Sequence, residues 1–193
     1  MASQPMEHRR GKPGVSVGSC ATLNHFRVRR RPGERSKGVL IAGGMAIPVA
    51  LGRSGIFANK WEGDGATPRG RFHPLRVWWR SDRNLAPRTL LPLRRIRPDD
   101  AWSEDPDDRN YNRPVKRANG APGDRLRRSD HLYDIIVEID HNTLPRIARR
   151  GSAVFLHLAR PGFRPTAGCV ALEPRRLRWL VARLGRKTVI DIR

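Results

Sequence analysis

The chain has 193 residues, of which 38% are hydrophobic, and this is enough for one globular domain with a sizeable core. Arginine, scattered along the whole chain, carries most of the formal net charge of +21. Such a charge suits a polyanionic partner, and an arginine bias of the genome explains it equally well. Neither a recognition helix nor a base-stacking motif accompanies the charge, so we expect no nucleic-acid partner.

The N-terminal residues 1–24 predict a flexible leader, and we expect one domain over residues 25–193. The leader is basic but lacks the ~7–15-residue apolar core of a secretory signal. No stretch approaches the ~20 apolar residues that a membrane span needs, so we expect no integral membrane segment. Of the two cysteines, Cys20 lies in this leader and is interpreted as incidental, although a Cys20–Cys169 disulfide is arithmetically possible.

The first part of the domain predicts short strands. Residues 26–29 alternate as a strand, and residues 38–42 and 45–51 flank Gly43-Gly44, a strong signal for a hairpin. The glycine-rich segment 63–70, Gly-Asp-Gly-Ala-Thr-Pro-Arg-Gly, predicts a tight turn in which Asp64 binds the backbone two residues further on. Direct contact with a substrate is the alternative for this turn.

The middle of the chain predicts a strand followed by a long loop. Residues 71–80 read as a strand whose Trp78 and Trp79 point to opposite faces, one of them into the core. The polar segment 81–130 contains aromatic residues and paired acids, which favour a folded lid over disorder. A metal site in its Trp-Ser-Glu-Asp run (102–105) is an alternative that no histidine or cysteine spacing supports.

The C-terminal part predicts two strands and a helix. Residues 131–140 become a buried-strand run, with His131 and Tyr133 at its start. After residue 172, Glu173-Pro174 predicts a helix start, and an apolar stripe continues through Leu184 until Gly185 ends the helix. Residues 188–192 alternate as a last strand. The chain is thus expected to be mostly β with one packed C-terminal helix, as a small β-sandwich or barrel.

One stretch, 153–172, combines the residues of a nucleophilic site. An apolar strand ends at His157, a short loop follows, and Thr166-Ala-Gly-Cys169 begins a second apolar run. A catalytic cysteine needs a base beside it, because it is mostly a thiol at neutral pH. Gly168 permits a close approach of backbone amides to a developing oxyanion. The pattern predicts acyl transfer through a thioester.

These residues resemble a known family. His157 followed twelve positions later by Cys169, within Thr-x-Gly-Cys, is similar to the signature of the L,D-transpeptidase (YkuD-type) family, and segment 63–72 is similar to its "GDGxTPxGxF" turn. The similarity covers about residues 26–193. Two positions depart from the family pattern: Ala167 stands where histidine is frequent, and Ala171 stands where many members carry arginine.

The resemblance implies a β-rich catalytic domain and a cysteine peptidoglycan L,D-transpeptidase that uses no cofactor and no metal. Cys169 would be the nucleophile, His157 the base and acid, and the Gly168 backbone part of the oxyanion hole. Tyr133, Thr166 and His131 would bind stem-peptide substrate, and the Thr166 hydroxyl or a carbonyl of the 158–167 loop would orient the imidazole. Segment 81–130 would wall the groove.

The resemblance also implies work in the periplasm or cell envelope, whereas the missing signal core leaves a cytoplasmic location open. The acceptor, the export route, the oligomeric state and the residues that bind substrate carboxylates stay open. A non-catalytic peptidoglycan-binding module of the same fold is the alternative that Ala167 and Ala171 allow.

Overall fold

Only His73 separates two strands that stand near opposite ends of a ten-stranded sheet. The computed structural model describes residues 22–117 and 123–193. In the large sheet the strand order is β6-β15-β1-β2-β3-β14-β13-β12-β7-β8. The strands are β1 (Leu23–Arg30), β2 (Lys37–Ala42), β3 (Met45–Ala50), β4 (Gly55–Phe57), β5 (Ala66–Pro68), β6 (Gly70–Phe72), β7 (Pro74–Trp79), β8 (Leu93–Arg95), β9 (Asp100–Trp102), β10 (Pro114–Lys116), β11 (Asp124–Arg125), β12 (Ile135–Ile139), β13 (Phe155–Leu158), β14 (Val170–Leu172) and β15 (Leu184–Ile192). Because one residue spans less than ~4 Å, the sheet must curl back on itself. The mostly β fold with one helix is confirmed.

The predicted first hairpin is present. β2 and β3 pair antiparallel up to Ala42 and Met45, and Gly43 and Gly44 between them both have positive φ. Two positive φ values are the backbone of a type I′ turn, which matches the twist of the strands. β1 begins at Leu23, which pairs with Leu184, so the domain starts inside the predicted leader. Residues 1–21 of that leader, with Cys20, lie outside the described residues.

The sheet separates two apolar clusters. Alternate residues of β13 and β14 point to opposite faces. Leu156 and Val170 belong to the larger cluster, whereas Phe155 and Cys169 belong to the smaller one. Trp79 and Trp78 divide in the same way, and both are buried. The prediction that the two indoles face opposite sides is therefore correct, but both rather than one enter a core.

The segment 81–130 is folded over its described residues. β10, β9 and β11 form a small antiparallel sheet, and Trp102 and Tyr111 are buried. The indole Nε1 of Trp102 donates to Asn112 Oδ1 at 2.9 Å. Aromatic residues and polar partners thus fix this segment, as the sequence indicated.

The C-terminal helix is shorter than predicted. α1 spans Pro174–Val181, with Glu173 at its N-cap and Pro174 in its first turn. Leu184 and Gly185 lie in β15 and not in the helix. Leu184 is fully buried and pairs with Leu23 of β1, so strand pairing captures a residue that continues the apolar stripe of the helix. The predicted helix end at Gly185 is therefore wrong.

Two other strand limits also differ from expectation. His73 interrupts the predicted strand 71–80, and its backbone N–H donates to Asp140 Oδ1 at 2.8 Å. β12 begins at Ile135, so His131 and Tyr133 stand in the turn before it. In that turn the Asp134 N–H donates to the His131 carbonyl at 3.1 Å.

None of the described helices is long and apolar enough to cross a membrane.

Candidate active site

Strand pairing brings the predicted nucleophile and base to one face of the sheet. β13 and β14 are adjacent and parallel, and His157 pairs with Ala171. Because side chains alternate along a strand, His157 and Phe155 share a face with Cys169 and Ala171. His157 and Cys169 both line one cavity of about 440 Å³. The register offsets them by about two residues, or ~6.6 Å, along the strands.

The thiol of Cys169 is held by backbone groups. Sγ donates to the carbonyl oxygen of Ala153 at 3.2 Å and accepts from the N–H of Phe155 at 3.3 Å. Burial raises the pKa of this thiol to about 12, with smaller contributions in the same direction from Asp124 and Glu104. Cys169 is therefore a neutral thiol in this resting arrangement.

The imidazole of His157 has a defined tautomer. Nδ1 lies 2.8 Å from the carbonyl oxygen of Leu158, and a carbonyl only accepts, so Nδ1 carries the proton. Burial lowers the pKa of His157 to about 4. The ring is thus neutral near pH 7, and Nε2 offers a lone pair as a base. A carbonyl at the start of the 158–167 loop orients the ring, which was one of the two alternatives from the sequence.

The Thr166 hydroxyl forms two hydrogen bonds within the turn that precedes β14. It donates to the carbonyl oxygen of Cys169 at 2.7 Å and accepts from the N–H of Gly168 at 3.1 Å. Both bonds stabilise the turn that presents the sulfur. The Gly168 amide is engaged in this arrangement, so its role in an oxyanion hole requires exchange of that bond and stays a prediction.

The glycine-rich turn 63–70 packs against the loop that contains Gly168 and Cys169. Asp64 Oδ1 accepts from the N–H of Ala66 at 2.8 Å, the contact two residues on that the sequence predicted. A Cβ built on Gly168, whose φ is +150°, would lie 2.8 Å from the carbonyl oxygen of Ala66. Position 168 therefore has no room for a side chain while the turn holds this place. Gly63 also lines the cavity.

Tyr133 and His131 have different surroundings. Tyr133 lines the cavity, its hydroxyl donates to Asp124 Oδ2 at 2.6 Å, and its ring meets the His157 ring edge-on at a centroid distance of 5.4 Å. Burial raises the pKa of Tyr133, so it stays protonated. The His131 side chain is 79% exposed, lies 2.9 Å from Asp134 Oδ2 and is not part of the cavity wall.

The charges of the cavity were not predicted. Three acidic side chains, Glu62, Glu104 and Asp124, line it, and burial raises the pKa of Glu104 to about 7, with help from the other two acids. Glu104 keeps an exposed side chain where it borders the cavity. The cations of the wall are Arg53, Lys60, Arg128, Arg160 and Arg164.

Some of these charges had a partial signal in the sequence. Glu104 belongs to the Trp-Ser-Glu-Asp run that drew attention as a metal-site alternative. Within residues 22–117 and 123–193, no group of three or more His, Cys, Asp or Glu side chains is arranged to hold a metal ion. Ala167 and Ala171 both line the cavity, so neither departure from the signature adds a charge to it.

A family comparison agrees with the resemblance. No curated protein matches the chain. Among solved structures, L,D-transpeptidase 1 of Mycobacterium tuberculosis is similar to it at 16% identity and a TM-score of 0.38, over 87% of this chain and 61% of that one. The chain thus spans less than two thirds of that relative. A family model described as the L,D-transpeptidase catalytic domain (YkuD) matches residues 35–192. Since this match covers most of the sequence, the chain belongs to the YkuD family of L,D-transpeptidase catalytic domains.

Proposed function

We propose that the protein is a cysteine-dependent peptidoglycan L,D-transpeptidase. The observation that carries this proposal is that His157, on β13, and Cys169, directly before the adjacent parallel strand β14, line the same cavity. The family match supports it. Its substrates would be peptidoglycan stem peptides, and its place of work the periplasm or cell envelope.

In the first half-reaction Cys169 attacks the donor. His157 Nε2 takes the thiol proton while Sγ bonds to the carbonyl carbon of the diaminopimelate residue that precedes the terminal D-alanine of a stem tetrapeptide. The thiol pKa of about 12 and the imidazole pKa of about 4 make transfer in the resting site strongly uphill. Proton transfer must therefore accompany attack, when negative charge moves to the oxyanion and its backbone donors.

In the second half-reaction an amine resolves the thioester. Before this, at the end of the first half-reaction, the imidazolium protonates the departing nitrogen, so that D-alanine leaves and the thioester remains. An acceptor amine then attacks the acyl carbon, His157 accepts its proton, and the C–S bond breaks to restore the thiol. A second stem as acceptor gives a cross-link, and water as acceptor gives carboxypeptidase activity. The Leu158 carbonyl keeps Nε2 available in both steps.

A carbapenem tests the proposal, because its strained carbonyl can acylate an activated cysteine. The reduced protein is incubated with the drug, and its intact mass is recorded beside that of Cys169→Ala and His157→Ala. We expect a single adduct in the wild type, none in Cys169→Ala and a strongly slowed reaction in His157→Ala. Circular dichroism checks that both variants fold. An adduct that persists in Cys169→Ala would refute the assignment of the nucleophile.

One observation favours a second candidate, a peptidoglycan-binding module without turnover. The proton of Cys169 is bonded to Ala153 and not to His157, and Ala167 and Ala171 add no polar group. This candidate predicts stem-peptide binding without a thioester. A folded wild type with a titratable Cys169 thiol that forms no carbapenem adduct would favour it.

A further inference from the structure

Lys60 is a buried lysine in the wall of the active-site cavity. Its side chain is 6% exposed, whereas those of Lys37 and Lys116 are 42% and 45% exposed. A lysine is almost never buried without a partner, since the ammonium loses its hydration. The burial of the Lys60 ammonium therefore requires partners that replace its lost hydration.

The turn before β5 holds the ammonium. Nζ donates to the Trp61 carbonyl at 2.7 Å and to the Asp64 carboxylate. Asp64 is itself fixed by the N–H groups of Trp61 and Ala66, both at 2.8 Å. An ammonium has three N–H groups. Over the described part of the chain the structure gives Nζ these two acceptors, so one N–H is left for a group in the cavity.

The lysine stem lies between the two segments that hold the Cys169 sulfur. A Cβ built on Gly168 would lie 3.6 Å from Cε of Lys60, and one built on Gly151 would lie 2.8 Å from its Cγ. Gly168 precedes the nucleophile, and Gly151 stands two residues before Ala153, which accepts the thiol proton. Glycine at position 151 leaves room for the stem, whereas a Cβ at position 168 would make only an ordinary contact with it, so the charge is placed beside the loop of Cys169.

The charged side chains around Cys169 change the pKa of its thiol in opposite directions. Asp124 and Glu104 disfavour a thiolate at Cys169, and Lys60 favours it. We propose that Lys60 stabilises the negative charge that develops at Cys169. The ion pair of Lys60 with Asp64 then holds a positive charge near the sulfur, in addition to stabilising the turn. This inference rests on the proposed role of Cys169 as nucleophile.

Alkylation of Cys169 by iodoacetamide tests the proposal apart from any transpeptidase activity. The thiolate displaces iodide, and mass spectrometry of the Cys169 peptide follows the rate at pH 8.5. We expect Lys60→Met and Lys60→Gln to react about tenfold more slowly than the wild type, since a neighbouring opposite charge shifts a pKa by ~1 unit or more. Lys37→Met, the same change at an exposed position, should leave the rate unchanged.

Lys60→Arg separates charge from shape. Arginine keeps the charge but is the larger side chain, so a steric role predicts that it is the most impaired variant. We expect it instead to react faster than both neutral variants. If Lys60→Met does not fold, Lys60→Gln, which keeps a donor toward the Trp61 carbonyl, gives the same comparison. Equal rates in charged and neutral variants, or an arginine variant slower than both, would overturn the proposal. A carbapenem adduct missing from the wild type would count against the proposed function alone.

Discussion

Asn112 in the folded loop accepts a hydrogen bond from the backbone N–H of Ala153, across 3.2 Å. The carbonyl of the same Ala153 accepts the proton of Cys169. The Oδ1 atom of Asn112 also accepts from Trp102, and its Nδ2 donates to the carbonyls of His141 and Asn142. One buried amide thus joins the 81–130 segment to Ala153, the residue that accepts the proton of Cys169.

We expect Asn112→Ala to destabilise the protein and to loosen this segment. The change leaves buried donors and acceptors unsatisfied, at about 1–3 kcal/mol for each group, so the free energy of unfolding should fall by about 2–4 kcal/mol. Urea denaturation measures the loss, and limited proteolysis should show faster cleavage within 81–130. Asn110→Ala, in the same loop but less buried, is the matched control. Equal stability of the two variants would contradict the anchoring role.

Gly168→Ala is expected to disrupt the loop that contains Cys169. The new methyl group would stand 2.8 Å from the Ala66 carbonyl oxygen at a φ of +150°. Strain of this kind costs about 1–3 kcal/mol, and any relief would move Cys169. The melting temperature and the rate of acylation by a carbapenem should both fall.

Gly44→Ala separates the clash from the backbone strain. Gly44 also has a positive φ, +76°, but nothing lies within 4 Å of its built Cβ. This control should lose about 1 kcal/mol of stability and keep its acylation rate. The interpretation would be wrong if Gly168→Ala acylated as fast as this control.

The sequence allowed the local parts of this site to be predicted. The Gly43-Gly44 hairpin and the alternation of β13 and β14 depend on turn chemistry and side-chain periodicity, which neighbouring residues determine. The motif pointed to His157 and Cys169, which the structure places in the wall of one cavity, and their catalytic roles stay predictions. Thr166 was predicted to bind substrate; in the structure it lines the cavity and its hydroxyl stabilises the turn of Cys169, and the substrate role stays a prediction.

The long-range contacts could not be predicted in the same way. The bond between Asn112 and Ala153 joins residues 41 positions apart, and no periodicity encodes it. The strand pairing of Leu184 with Leu23 likewise overrides a helical pattern that is locally valid. The position of the Lys60 charge beside Cys169 depends on contacts of its stem with Gly151 and Gly168, which lie far from Lys60 in the sequence.

Burial of His157 predicts a loss of stability in mild acid. Its pKa of about 4 in the folded protein lies below the ordinary 6.5, so between these values the unfolded chain binds a proton that the folded chain does not. The free energy of unfolding therefore falls as the pH falls from 6.5 toward 4, by about 1.4 kcal/mol per unit. His141, also near 4, acts in the same direction, and Glu104, raised to about 7, acts in the opposite one.

The comparison with His157→Gln isolates this contribution. Between pH 7 and pH 5 the wild type should lose about 2 kcal/mol more than the variant, because the other groups titrate in both proteins. Urea denaturation at the two pH values gives the difference. Parallel losses in the two proteins would show that His157 is not held neutral by burial.

Glu104 should slow the reaction of Cys169 only when it is ionised. Its pKa of about 7 leaves it neutral at pH 6 and charged at pH 9, and its charge disfavours the thiolate. Glu104→Gln resembles the protonated acid, so we expect equal iodoacetamide rates for variant and wild type at pH 6. At pH 9 the variant should react roughly threefold faster, the effect of a half-unit decrease of the thiol pKa. Glu34→Gln, at the surface beside Lys37, controls for the loss of one negative charge. A variant-to-wild-type ratio that stays constant from pH 6 to pH 9 would mean that the Glu104 charge does not reach the sulfur.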